Sequence, residues 1–358
     1  MKPLPLKNPP DTLCLLRLSA IGDVCHAVPV IRTLQSAWPD TKLTWVIGKT
    51  EHALVGDIPG VEFIIFDKQA GWQAIRELRR RLRGRRFDVL LHMQMSLRAS
   101  IASLAIPADI RLGFDRERAT DLQWLFTNAR IPHVPRQHVL DSFLEFPRAL
   151  GIPETVLEWN IPIPETARRQ ATELAPQTPY AIISPCSSHA YRNWTTEGYA
   201  AVADHLQETL NLPVLLTGGN SAIERETGAA IERLCRHRPS NLIGRTDLKT
   251  LLALIANARL LVAPDSGPAH MGTATGTPVV SLFAATNPDR ARPYRYPELV
   301  VSRYPEAIQA RYHKSVDDVP WGTRVREPGT MARIPVEDVL ETIDRHLSVT
   351  TSDNPPGS

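Results

Sequence analysis

One pattern constrains this chain more than any other: a short apolar run followed by a helical stretch, repeated, interrupted, and begun again near residue 180. Before the interruption the spacing predicts strands over 12–18, 43–47, 61–66, 89–93 and 110–113, with helices such as 24–38 and 72–82 between them. After it come strands over 180–184, 213–217, 241–243, 260–263 and 279–283, with helices over 196–210, 223–235 and 248–258. Near-continuous apolar strands are covered on both faces, which implies parallel sheets with helices on either side. At 358 residues the chain is longer than one core usually covers. The expectation is an α/β protein of two doubly wound domains, 1–160 and 161–334, joined through the proline-bearing stretch 151–179. An irregular, aromatic-bearing segment (294–333), a final helix (335–348) and a disordered tail (349–358) follow. Two such domains facing each other leave a cleft at the carboxyl ends of their strands, where a ligand binds.

Composition excludes several classes. With 43% hydrophobic and 22% charged residues the chain is an ordinary globular protein, and a net charge of +3 gives no field that points to nucleic acid. The four cysteines have no paired spacing, so reduced thiols of a cytoplasmic protein are expected. The N-terminus lacks the apolar core of a signal peptide, and no apolar run is long enough to span a bilayer. The basic stretch "RELRRRLRGRRFD" (76–88) reads as an exposed helix end before a buried strand, or as a surface for an anionic acceptor or membrane.

The strand ends carry the candidate chemistry. In "LLVAPDSGPAHMGTATGTPVV" a strand runs into Asp265, Ser266 and Gly267, and the helix that follows carries His270. Free N–H groups at a helix start, reached through a glycine, suit a diphosphate. Asp265 or Ser266 as a helix cap and His270 as a satisfied helix residue are the plainer alternatives. In "ISPCSSHAYRNW" Ser187, Ser188 and Arg192 bring hydroxyls and a guanidinium to another strand end, a phosphate-gripping set or else a surface ion-pair residue beside a core tryptophan. "LLTGGNSAIERE" offers Gly218 for close backbone approach and Glu224, either a ribose acceptor or a solvated helix glutamate.

The first half differs. "LLRLSAIGDVCHAVPV" places Ser19, Gly22 and the carboxylate of Asp23 at a strand-to-helix turn; Gln94, Arg98 and His138 are the other polar groups near strand ends. This set suits a hydroxyl acceptor deprotonated by Asp23 better than a second nucleotide. Asp23 as a helix N-cap is the alternative. No P-loop, GxGxxG, HExxH or GxSxG motif occurs, and no two aspartates stand two apart, so no cofactor or metal is implied.

These residues resemble a known family. "RLSAIGDVCHAVPVIRTL", "LTWVIGK" and above all "APDSGPAHMGTATGTPVVSLFAATNP" are similar to the bacterial ADP-heptose–lipopolysaccharide heptosyltransferases, glycosyltransferase family 9, over nearly the whole chain. The segment "YPEAIQARYHKSVDDVPWGTRVREPGTM" resembles the branch that adds the first heptose to Kdo. The resemblance implies a GT-B fold, with the acceptor in the N-terminal domain, the donor in the C-terminal one, and the final helix packed back on the N-terminal domain. It implies inverting, metal-independent transfer of heptose from ADP-heptose to the Kdo or inner core of a lipid A acceptor, at the cytoplasmic face of the inner membrane. Asp23 matches the catalytic base, and Ser188 and Arg192 the diphosphate contacts, where some members carry lysine in place of Arg192. Asp265, Gly267 and His270 match the donor turn, Glu224 the ribose contact and Thr246 the adenine pocket. A heptosyltransferase acting on a later core heptose, a sugar-nucleotide epimerase or hydrolase of the same architecture, and a sugar-nucleotide-binding protein without catalysis are the competing expectations.

Overall fold

Leu13, Cys14, Leu15 and Leu16 have no exposed surface at all, which only a strand covered on both faces achieves. They lie in β1 (Thr12–Leu16), the centre of a six-stranded parallel sheet. The structure is a computed structural model that describes residues 4–352, with side-chain surroundings through 348. The chain divides into two units, Met1–Pro162 and Ile163–Ser358.

In the first unit β1 is followed by α1 (Ile21–Ala37), β2 (Lys42–Gly48), α2 (Lys49–Val55), β3 (Val61–Phe66), α3 (Trp72–Arg81), β4 (Phe87–His92), α4 (Leu97–Ser103), β5 (Ala108–Gly113), β6 (Ala129–Arg130) and α5 (Val139–Leu150). The strand order is β3-β2-β1-β4-β5-β6 and every pairing is parallel. Ala74 and Leu78 of α3 and Ala99 and Ala102 of α4 join one core layer with Cys14, Leu16 and Leu90. Elsewhere in the unit α1 packs on α5.

The second unit repeats the plan. It runs α6 (Glu165–Leu174), β7 (Ala181–Ile183), α7 (Thr196–Glu208), β8 (Val214–Leu216), α8 (Ala222–Leu234), β9 (Ser240–Asn241), α9 (Leu248–Asn257), β10 (Leu260–Pro264), α10 (Gly267–Thr275), β11 (Val279–Phe283), α11 (Pro288–Ala291), β12 (Val300–Ser302), α12 (Tyr304–Tyr312) and α13 (Val336–Ser352). Its sheet is also parallel, in the order β12-β11-β10-β7-β8-β9. Counted from the first strand of each unit, both sheets follow the order 3-2-1-4-5-6. Each therefore has one place where successive connections leave in opposite directions, between β1 and β4 in the first and between β7 and β10 in the second. A crevice opens there at the strands' carboxyl ends, the usual ligand position of such sheets.

Three expectations are corrected. The final helix packs on α7, β11 and β12 of its own unit, where Val339, Ile343 and Leu347 join the core. His205 on α7 bonds Asp344 at 2.7 Å, and the Trp194 indole donates to the Ile334 carbonyl at 3.2 Å, fixing the same contact. The helix also runs on to Ser352, through four residues expected as tail; 353–358 lie outside the described residues. The stretch read as a linker contains α6, whose buried Ala167 and Ala171 lie on the helix that packs on α9. The segment read as irregular contains α12, anchored by fully buried Tyr304 and Ile308.

Candidate active site

At the break in the first sheet, β1 ends and α1 begins with Ala20 as its N-cap, so Asp23 stands at the third helical position and not at the cap. Alanine has no side-chain oxygen to offer the first turn. The Asp23 carboxylate instead reaches back and accepts the Ala20 N–H on Oδ2 at 3.3 Å. Oδ2 also forms an ion pair with Arg17. Oδ1 has no partner among the described residues, and the side chain is one-third exposed. One oxygen holds the carboxylate in place and the other is open to solvent.

Arg17 is the residue that sequence reasoning missed. It is buried at the end of β1, its guanidinium lies over the Phe143 ring of α5 at 5.1 Å, and it donates to the Met93 carbonyl at 2.5 Å. The available signal was a basic residue six positions before Asp23, just where the strand stops. Gln94, at the end of neighbouring β4, closes the turn from the other side. Its Oε1 accepts the Leu18 N–H at 2.6 Å, and its Nε2 bonds the Ser19 hydroxyl at 3.1 Å. Ser19, Gly22, Asp23 and Gln94 thus meet at one sheet edge.

His138 caps α5 by accepting the Leu140 N–H on Nδ1 at 3.1 Å, and its ring meets that of His26 edge-on at 5.4 Å. His26 lies one turn along α1 from Asp23, so His138 stands near the same corner, in a capping role. Arg98 is exposed at the start of α4 and makes no hydrogen bond or ion pair among the described residues. Below Gln94, buried His92 is pushed down to about 3 by burial and by the charges of Arg111 and Arg17, so it stays neutral.

The basic stretch after Arg76 lies at the opposite end of this unit. It forms the last turn of α3 and the turn into β4, at the amino ends of the strands. Much of its charge is already matched: Arg80 and Arg81 bond Glu77, Arg85 bonds Glu62, and Arg86 bonds Asp109.

At the break in the second sheet, β10 runs into Asp265 and into Ser266, the N-cap of α10, with Pro268 in the first helical turn. Asp265 is buried. Burial alone raises its carboxyl, but the His270 hydrogen bond, the Arg192 charge and Thr286 together hold it below the ordinary carboxylate range. Arg192 Nη1 lies 3.1 Å from Asp265 Oδ2 and 3.3 Å from the Asp265 carbonyl, and His270 Nε2 lies 3.9 Å from Oδ1. The plainer reading of Arg192 as a surface residue is thus replaced by a buried pair, whereas Trp194 beside it is a core residue as that reading had it.

Two buried polar groups stand out here. The Ser266 hydroxyl makes no bond to its own helix, and Arg192 Nε has no hydrogen-bond acceptor; neither finds a partner among the described residues. Orphaned buried donors beside an open helix start are unusual, and an anion would satisfy them.

Around this pair the other strand ends converge. Ser187 is fixed by its N–H to Asn193 Oδ1 at 2.8 Å, while Ser188 is exposed in the same turn. Glu224 is no free helix-face residue: it completes a capping box with Ser221 and accepts the Gly219 N–H at 2.7 Å, which shapes the Gly218–Gly219 turn after β8. A Cβ on Gly219 would lie 2.9 Å from the Glu224 carboxylate, so a larger residue there would displace that side chain from the turn it shapes. Thr246 is half-buried between β9 and α9, next to Asp247, which caps α9. All four cysteines are free thiols. No helix among the described residues is long and apolar enough to cross a membrane.

Comparison with known proteins settles the class. Residues 75–319 match the model of glycosyltransferase family 9 (heptosyltransferase). The chain belongs to glycosyltransferase family 9. It is 41% identical to the lipopolysaccharide core heptosyltransferase OpsX of Haemophilus influenzae over 332 residues, 92% of this chain and 95% of that one. Among solved structures, the family 9 glycosyltransferase of Veillonella parvula superposes with a TM-score of 0.77 at 22% identity, covering 94% of this chain and 96% of that one. The Escherichia coli ADP-heptose lps heptosyltransferase II superposes with a TM-score of 0.72 at 19% identity, covering 95% of this chain and 99% of that one. The family 9 chain described here is thus a glycosyltransferase with the GT-B fold.

Proposed function

We propose that this heptosyltransferase of lipopolysaccharide core synthesis takes its heptose from ADP-L-glycero-D-manno-heptose and adds the first heptose to the Kdo of a lipid A acceptor, with inversion. The observation that carries the donor assignment is the pair of orphaned buried groups, Ser266 Oγ and Arg192 Nε, beside the open start of α10. A diphosphate placed there accepts from both and from the first-turn N–H groups. Ser187, Ser188, Asp265, Gly267 and His270 surround it. The ribose lies toward Gly218 and Glu224, whose carboxylate keeps lone pairs beyond those used in the capping box, and the adenine toward Thr246.

The acceptor belongs to the first unit. Asp23 Oδ1 takes the proton of an acceptor hydroxyl while Oδ2 stays tied to Arg17 and the Ala20 N–H. The oxygen so activated forms a bond to the anomeric carbon of the heptose. The bond from that carbon to the β-phosphate oxygen breaks, and its electron pair leaves on ADP. A single displacement of this kind inverts the anomeric centre. Gln94 and Ser19 supply the polar wall beside the reacting hydroxyl, with Gly22, Arg98 and His138 at its margin. Because the lipid part of the acceptor stays in the bilayer, the protein works in peripheral contact with the cytoplasmic face of the inner membrane.

Mass spectrometry of products from the purified protein, ADP-heptose and a defined Kdo–lipid A tests this reading. The expected product is the acceptor heavier by one heptose, with one ADP released per transfer. Free heptose with unmodified acceptor would assign the protein to hydrolysis, and unconsumed donor to binding alone.

A further inference from the structure

The net positive charge at the donor site does not come from Arg192. That guanidinium is paired with buried Asp265, so the two together bring no net charge to a leaving diphosphate. A small cavity beside them is lined by Arg192, Asp265, Thr286, Arg290 and Arg324. Arg324 comes from a segment far along the chain, and its placement is built in. Residues 323–325 run antiparallel to the chain just after β11, with Arg324 bridging Thr286 and the Val325 N–H donating to the Ala285 carbonyl at 2.9 Å.

α12 clamps this short arm. The Tyr304 hydroxyl donates to the Thr323 carbonyl at 2.9 Å, and the Tyr312 hydroxyl to the Arg324 carbonyl at 3.0 Å. Val325 is buried against Tyr304, Ala307 and Ile308. In an extended segment alternate residues point the same way, so Arg324 and Arg326 project from the face opposite Val325. Arg326 lies over the Tyr191 ring at 5.7 Å, where Arg192 also rests at 5.6 Å, and Tyr191 stacks on His189. Burial and then the charges of Arg192, Arg324 and Arg326 hold His189 below its ordinary value, which marks how closely the three guanidiniums gather. Arg324 and Arg326 have no carboxylate partner among the described residues, and nearby Glu327 is taken by Arg311.

We infer that the 323–326 arm is a phosphate clamp in which Arg324, seconded by Arg326, supplies the unmatched positive charge that receives the leaving β-phosphate of the donor. The inference rests on the donor-site reading above and adds to it the residues that carry the charge. As the anomeric C–O bond breaks and its electron pair passes to the β-phosphate oxygen, negative charge grows beside Arg324, whose charge no protein group cancels. Arg192 then acts chiefly to hold Asp265 and the turn.

Calorimetric titration of ADP and of AMP into the wild-type protein and into R324Q, R324K and R326Q tests this. The arm is held by backbone bonds and Val325, so the side-chain changes leave its frame in place; equal melting temperatures check it. R324Q is expected to weaken ADP binding by about 10- to 100-fold, the range for one hydrogen bond to a charged group. It should shift AMP, which lacks the β-phosphate, far less. R324K should recover most of the loss, and R326Q should show a smaller one. Unchanged ADP affinity in R324Q, or equal losses for ADP and AMP, overturns the clamp while leaving the donor site standing. A wild-type protein that takes no ADP removes the donor reading and the clamp with it.

Discussion

The two sheets share one strand order, yet the groups at their breaks have opposite character. Beside β1 and β4 stands a carboxylate with one oxygen open and one-third of its surface in water, steadied by a single arginine and the Ala20 N–H. Beside β7 and β10 the carboxylate is buried and matched, and the unmatched groups are donors: a serine hydroxyl, an arginine Nε and the arginines of the 323–326 segment. The same backbone plan therefore offers a proton acceptor in one unit and an anion receptor in the other. Fold alone could not assign those roles; the residues following four strands do.

That contrast can be broken experimentally. The largest effect is expected from Asp23→Asn, which keeps the size of the side chain and removes its basicity. Turnover should fall by about 100- to 10,000-fold, the usual range for a positioned general base. Steady-state assays with ADP-heptose and acceptor measure this, and near-normal turnover would reduce Asp23 to a helix-capping residue.

Next comes Asp265→Ala, which leaves the Arg192 guanidinium buried without its carboxylate. Removing one member of such a pair costs about 3–5 kcal/mol, readable by denaturant unfolding. pH provides a milder version. The Asp265 carboxyl is held below its ordinary value, so the folded protein binds this proton less readily than the unfolded chain. Its contribution is present above about pH 4, the ordinary aspartate range, and is lost as pH falls through the lowered folded value. Asp265→Asn should therefore flatten the acid limb of the stability profile, and an unchanged limb would show that the pairing does not stabilise the fold.

Glu224→Gln should cost about 1 kcal/mol by weakening the capping box of α8, seen as a small drop in melting temperature. An unaltered melting temperature would mean that the Gly218–Gly219 turn holds without it. The smallest effect is expected at the far end of the first unit. Arg79→Gln and Arg83→Gln together should leave ADP affinity and transfer to a water-soluble acceptor within about twofold, since exposed charges contribute little locally. A large loss in that assay would bring the basic end of α3 into the site, against its place at the amino ends of the strands.

Much of this was legible in the sequence, for identifiable reasons. The segments 61–66 and 279–283 read as strands because their apolar runs end sharply, and the structure keeps both as β3 and β11. Asp23, Gln94, Ser187 and Asp265 were found because each follows such a run, and position after a strand fixes position at a sheet edge. The edge strands β6 and β12 escaped notice because two- and three-residue pairings carry no periodic signal. α13 shows another limit: its apolar stripe was readable, but a stripe does not say which surface it covers, and Val339 and Ile343 proved to belong to the second unit's core. Arg324 was invisible for a third reason. Both it and Thr286 lie in quoted segments, but Arg324 reaches the site only through its pairing with Thr286 across a long intervening stretch, which no local pattern encodes.

The division of labour between the two breaks is tested most directly by titrating ADP calorimetrically into Asp23→Asn and His270→Ala alongside the wild-type protein. The account predicts that Asp23→Asn binds ADP as the wild type does and that His270→Ala binds it more weakly. Lost ADP binding in Asp23→Asn, or unchanged binding in His270→Ala, would contradict it.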